Sequence, residues 1–117
     1  ETFAKAHWEN AGVTVVSYQD QNQVYADLVA GRLDGTLVLA PAGQTGFLSR
    51  HEGKEFGFAG APVRDDKILG SGIAFGIRKG DTALRDQLNA AIGKVQGDGT
   101  VKKLAKKYFG EIDVSAK

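Results

Sequence analysis

Val24–Pro41, VYADLVAGRLDGTLVLAP, reads as a helix, a turn and a strand in that order. Val24, Tyr25, Leu28 and Val29 trace an apolar stripe at helical spacing up to Gly31, and Asp20-Gln21-Asn22 just ahead supplies an N-cap. Gly35-Thr36-Leu37-Val38-Leu39-Ala40 is then a nearly continuous apolar run, the form of a strand covered on both faces in a parallel sheet, and Pro41 closes it. Upstream, Val13–Tyr18 is rich in β-branched and aromatic residues and reads as a shorter strand. Strand, helix and strand within roughly 30 residues make a βαβ unit, whose crossover is right-handed. The predicted fold class is therefore α/β.

On the N-terminal side, Phe3, Ala4, His7 and Trp8 lie on one face of a helix over Thr2–Trp8, ended by Asn10-Ala11-Gly12. The chain lacks an initiator Met and opens directly into this helix, so a piece of a longer precursor is expected. On the C-terminal side, Gln44–Arg50 suits one or two helical turns carrying Phe47 and Leu48. His51–Glu55 suits an exposed loop and Phe56–Ala59 a short strand. Glycines at 70, 72 and 76 then punctuate a strand that can bend. Asp81 caps a helix with Leu84, Leu88, Ala91, Ile92 and Val95 on one face. After Gly97-Asp98-Gly99, Thr100 caps a last helix with Val101, Leu104, Ala105, Tyr108 and Phe109 on one side and Lys102, Lys103, Lys106 and Lys107 on the other. Gly110–Lys117 reads as a frayed tail.

The 117 residues are 42% hydrophobic, enough for a packed core, and 15 Lys and Arg against 14 Asp and Glu leave a net charge of +1. That balance argues against nucleic acid or another charge-driven partner, and the lysine face reads as solvated. Without cysteine there is no disulfide, thiolate metal site or cysteine nucleophile. No apolar run approaches the roughly 18 residues of a membrane span. His7 and His51 have no carboxylate or histidine at metal-ligand spacing, so no metal is expected. Nucleophile elbows, Walker loops and dinucleotide fingerprints are missing from the sequence. Asp34, at the foot of the apolar run, suits a turn or an ion pair better than a catalytic acid. These residues alone point to binding over catalysis, with no cofactor.

Four stretches in order carry a resemblance: Tyr25–Asp34, Gly46-Phe47-Leu48, Gly72–Lys79 and Asp98–Phe109. Together they resemble the periplasmic polar-amino-acid-binding proteins of ABC importers, most nearly the histidine and lysine/arginine/ornithine binders. The resemblance implies a type II periplasmic-binding-protein fold, in which two α/β lobes close on a ligand between them. Residues 1–70 would be the later part of the second lobe, 71–79 a crossing strand with Ser71, Gly72 and Ile73 as hinge, and 80–117 helices that return to the first lobe, with the tail. It further implies export to the periplasm from a precursor with a signal peptide, delivery of a small polar solute to a membrane permease, and no catalysis.

The same resemblance places the ligand at Val38, Leu39 and Ala40. An aspartate that accepts from the ligand's α-ammonium is expected where this chain has Leu39. The ligand therefore lacks a free α-amino group there, or another residue replaces the acid, or the binding site is lost or altered. Two other roles suit the same scaffold: the extracellular sensor of a receptor or histidine kinase, and a periplasmic enzyme. An isolated half of such a protein is expected to cover the stripe of Leu84, Leu88, Ile92 and Val95 with a second copy, an exchanged element or a complementary fragment.

Overall fold

The computed structural model describes residues 1–112 and 114, and the chain divides into two compact units, Glu1–Leu69 and Gly70–Lys117. The last part of the expected tail, at 113 and 115–117, lies outside the described residues.

In the first unit, helix α1 (Thr2–Trp8) turns Phe3 and Ala4 inward. The Phe3 ring sits 4.5 Å from His7 and edge-on to Trp8 at 5.5 Å, one and one-and-a-half turns on. Glu1 and Lys5 pair at 2.7 Å across one turn. Helix α2 (Gln21–Val29) begins where Asp20 accepts the Asn22 N–H at 2.8 Å, and it buries Val24 and Leu28, the stripe read from sequence. Helix α3 (Ala40–Gly43) runs straight into a π-helical turn, Gln44–Leu48, whose Phe47 is buried. Phe47 stacks on Tyr25 with centroids 4.5 Å apart and meets Phe56 at 5.2 Å, so α2, the π turn and the segment after it share one aromatic core.

Gly53, at the end of a 3-10 turn over His51–Gly53, is where that core is tightest. A Cβ there would lie 2.1 Å from the Phe47 carbonyl oxygen, so only glycine lets the two backbones approach. The exposed loop expected at His51–Glu55 is thus partly a helical turn with a buried glycine.

In the second unit, α4 (Thr82–Gly97) starts with Asp81 accepting the Leu84 N–H at 3.3 Å, and α5 (Thr100–Phe109) packs against it with Ala105 buried. Thr100 is the first residue of α5 and not its cap. Gly99 holds the cap position in the left-handed region, while Asp98 accepts the Thr100 N–H at 2.9 Å.

The strands expected at Val13–Tyr18, Gly35–Ala40, Phe56–Ala59 and Ser71–Lys79 are corrected by the structure. Among the described residues there is no strand pairing, and the βαβ unit is not formed. The reason lies in what a strand requires. A ladder needs a neighbour about 4.8 Å away to exchange hydrogen bonds, and these apolar runs meet none. Val16 and Leu39 are consequently more than half exposed. Pro41 does not close a strand either. It sits in the first turn of α3, where a missing N–H costs nothing and its fixed φ suits the helix.

Candidate functional site

The run that ends at Pro41 places its last three residues differently. Val38 is half-buried against Gly43, where a Cβ would come within 3.0 Å of its Cγ1 and 3.5 Å of the Phe58 ring. Leu39 keeps extended backbone (φ −61°, ψ 129°), accepts the Gly43 N–H at 2.9 Å through its carbonyl, and holds its side chain in solvent at 60% exposure. Ala40 opens α3. The three side chains form an apolar edge at the head of a helical segment and offer no donor or acceptor. Ser71, Gly72 and Ile73 follow directly after the boundary between the units, all exposed, with Ile73 the most exposed large apolar residue at 83%.

Polar structure gathers at two other places in the first unit. The Tyr18 hydroxyl donates to Asp27 Oδ2 at 2.6 Å, and Arg32 donates to Asp27 Oδ1 through Nε at 2.9 Å and through its terminal nitrogen. Arg32 first, and Tyr18 after it, hold the Asp27 carboxyl below the usual range, while Asp27 pushes the Tyr18 hydroxyl up. This clasp ties the turn after α2 to Tyr18. Two of its members, Asp27 and Arg32, stand in the quoted stretch five residues apart, a spacing that crosses the end of a helix and so escapes the one-turn pair rule.

The second place is Asp65. Its Oδ2 lies 2.9 Å from His7 Nε2, and its Oδ1 accepts the Lys67 and Ile68 N–H groups at 3.0 and 2.9 Å. The His7 bond and then the Ile68 N–H hold this carboxyl low. Sequence spacing gives His7 no partner, because Asp65 is 58 residues away. No three His, Cys, Asp or Glu side chains come together among the described residues, and none of their helices is long and apolar enough to cross a membrane. Asp34 sits in a bend and joins no ion pair among those residues. In the second unit, Ile73, Phe75, Ile77, Leu88 and Ile92, together with the polar Arg85 and Asn89, line an open groove of about 290 Å³.

Residues 2–111 match the family of bacterial extracellular solute-binding proteins, family 3. The chain is 46% identical over 109 residues to the histidine-binding periplasmic protein of Escherichia coli, covering 93% of this chain and 42% of the relative. It is 47% identical over the same coverage to the lysine/arginine/ornithine-binding periplasmic protein of that organism. To the L-arginine-binding protein of Pseudomonas aeruginosa it is 38% identical, again over 93% of the chain and 42% of the relative. The chain thus spans about two fifths of the length of these relatives.

Proposed function

The chain belongs to the bacterial extracellular solute-binding proteins, family 3, and from that premise we propose that it forms part of the solute-binding component of an ABC importer. Membership implies the type II periplasmic-binding-protein fold. The carrying observation is the 46–47% identity, over 93% of the chain, to proteins named for binding histidine and lysine, arginine or ornithine. The solute is a small polar one, an amino acid or amino-acid derivative of cationic character. It is bound in the periplasm by hinge closure and passed to the permease subunits, and no reaction is catalysed.

In this reading, residues 1–70 are the later part of the second lobe, 71–79 the crossing strand with Ser71, Gly72 and Ile73 at the hinge, and the helices after residue 80 return to the first lobe. A second copy or a complementary polypeptide covers the apolar side chains left open in the described residues. Light scattering tests that point, and a monodisperse monomer rejects it.

Val38, Leu39 and Ala40 face the ligand. Leu39 can neither neutralise nor hydrogen-bond an α-ammonium, and enclosing that charge without a partner is strongly unfavourable. The site therefore favours a ligand whose α-nitrogen is substituted or uncharged. The test grafts residues of this chain in place of the matched 109 residues of the Escherichia coli histidine-binding relative. Native mass spectrometry of the folded chimera then screens histidine, arginine, lysine, ornithine and their Nα-acetyl forms. A one-to-one complex with one of this set is expected. A folded chimera that binds none of them rejects the reading.

A further inference from the structure

Two of the aspartates stand directly before a glycine, at Asp34-Gly35 and Asp98-Gly99. The same dipeptide thus occurs once in each unit. Its chemistry is local. A glycine has no Cβ to shield its nitrogen, and it lets the chain swing through conformations closed to other residues. That nitrogen reaches the carboxyl carbon of the preceding aspartate readily, provided that neither group is held elsewhere.

At Asp34-Gly35 neither group is held. Asp34 lies in a bend and Gly35 opens the irregular stretch after it, both exposed. Among the described residues the Gly35 N–H donates to no carbonyl, and the Asp34 carboxylate accepts no hydrogen bond and joins no ion pair. A Cβ on Gly35 would meet nothing within 4 Å, so the peptide has room to turn. Arg32, two residues before Asp34, gives its donors to Asp27 instead.

At Asp98-Gly99 both groups are held. Asp98 ends α4 (φ −84°, ψ 0°) and Gly99 caps α5 in the left-handed region, so the dipeptide is clamped between two helices. The Gly99 N–H donates to the Gln96 carbonyl at 3.3 Å, and Asp98 Oδ1 accepts the Thr100 N–H at 2.9 Å. Thr100, through its side chain first and its N–H second, holds the Asp98 carboxyl below the usual range. The protonated acid, the form that loses its oxygen as water, is correspondingly scarce there.

We infer that Asp34-Gly35 is a site of spontaneous modification in the folded protein, where Asp34 passes through a cyclic imide to a β-linked isoaspartate, and that the helix caps protect Asp98-Gly99 from the same reaction. The Gly35 nitrogen bonds to Asp34 Cγ and gives up its proton, the C–OH bond of the acid breaks, and the oxygen leaves as water with that proton. Water then adds to a ring carbonyl and cleaves its C–N bond. Opening at the Asp34 main-chain carbonyl leaves the chain running through the side-chain carbonyl. The product has the original mass, one more carbon in the main chain and its free carboxylate on the α-carbon. Only water takes part, and the reaction does not depend on which solute the protein binds.

Incubation of the 117-residue chain in mildly acidic buffer, followed by trypsin, tests this. Asp34 falls in the peptide 33–50 and Asp98 in the peptide 95–102. Electron-transfer fragmentation tells a β-linked residue from a normal one, and isoaspartyl methyltransferase with a labelled methyl donor counts it. Isoaspartate is expected to accumulate several-fold faster in 33–50, after a transient loss of one water. In urea, which removes the caps, the two rates should converge. Gly35→Ala should slow the reaction at Asp34 and leave Asp98 unchanged. The same order of rates is expected in the folded chimera with the histidine-binding relative, where the missing part of the fold is supplied. Equal rates in the native chain, a faster reaction at Asp98, a difference that persists in urea or a reversed order in the chimera overturns the inference.

Discussion

His7 Nε2 and Asp65 Oδ2 lie 2.9 Å apart across 58 residues of chain, so one polar contact ties the first helix to the turn that ends the first unit. Asp65 also caps that turn through Lys67 and Ile68, and its carboxyl is held low by His7 first and the Ile68 N–H second. A carboxyl with a lowered folded-state pKa contributes stability that is complete above the ordinary carboxylate range and is lost as pH falls through the folded value. Asp65→Asn should therefore lower the thermal midpoint at neutral pH. The gap from the parent protein should close on acidification below about pH 4. Midpoints measured from neutral pH downward check this, and a gap that persists unchanged in acid contradicts it.

Phe47 is the ring on which Tyr25 and Phe56 converge, and it is buried to 5% exposure. Its removal takes away transfer energy, two aromatic contacts and the filling of the space between α2 and the π turn. Phe47→Ala should cost about 3–5 kcal/mol, a large share of the stability of a small unit. Trp8 is the single tryptophan and lies in the same unit, so its fluorescence in a urea titration reports this loss directly. Phe47→Leu, which keeps part of the volume, should fall between the two.

Two glycines only four residues apart should respond in opposite ways. A Cβ on Gly53 meets the Phe47 carbonyl oxygen at 2.1 Å, and one on Gly57 meets nothing within 4 Å. Gly53→Ala must displace backbone and should destabilise by about 1–3 kcal/mol. Gly57→Ala should be neutral or slightly stabilising through the unfolded chain. The same urea titration separates them.

These contrasts also locate what a sequence can carry. The helices over Thr2–Trp8, Gln21–Val29, Thr82–Gly97 and Thr100–Phe109 are legible because stripe, cap and terminator sit within a few residues of one another. The runs at 13–18 and 35–40 have the composition of strands, but pairing is a property of a neighbour, and composition cannot report whether one is present. Pro41 shows the same ambiguity locally, since a residue that ends a strand is equally suited to begin a helix. The His7–Asp65 contact is silent in sequence because it spans 58 residues. The net charge is silent on its distribution for a different reason: a sum over the chain is blind to where the units divide, and the boundary at Leu69 separates a net −3 part from a net +4 part. Of the proposed ligand edge, its apolar character was readable at Leu39, whereas its place at the head of α3 was not.

The proposed ligand edge is tested most sharply at Leu39. Its backbone is extended and its carbonyl already accepts the Gly43 N–H, so a new side chain there alters the edge without disturbing that bond. Leu39→Asp would add a carboxylate to the proposed edge of three apolar side chains. It would also place a capping group ahead of α3, which raises stability whatever the ligand. Affinity alone is therefore ambiguous, and the informative quantity is the ratio of affinities for a free amino acid and its Nα-acetyl form in the chimera. A charge-assisted hydrogen bond to an α-ammonium is worth about 1.5–3 kcal/mol, so the ratio should move towards the free amino acid by about tenfold or more. Leu39→Asn, which caps the helix without adding charge, should move it less. Titration calorimetry on the three proteins decides the matter: an unchanged ratio in Leu39→Asp means that the α-nitrogen is bound elsewhere and that Leu39 does not select the ligand.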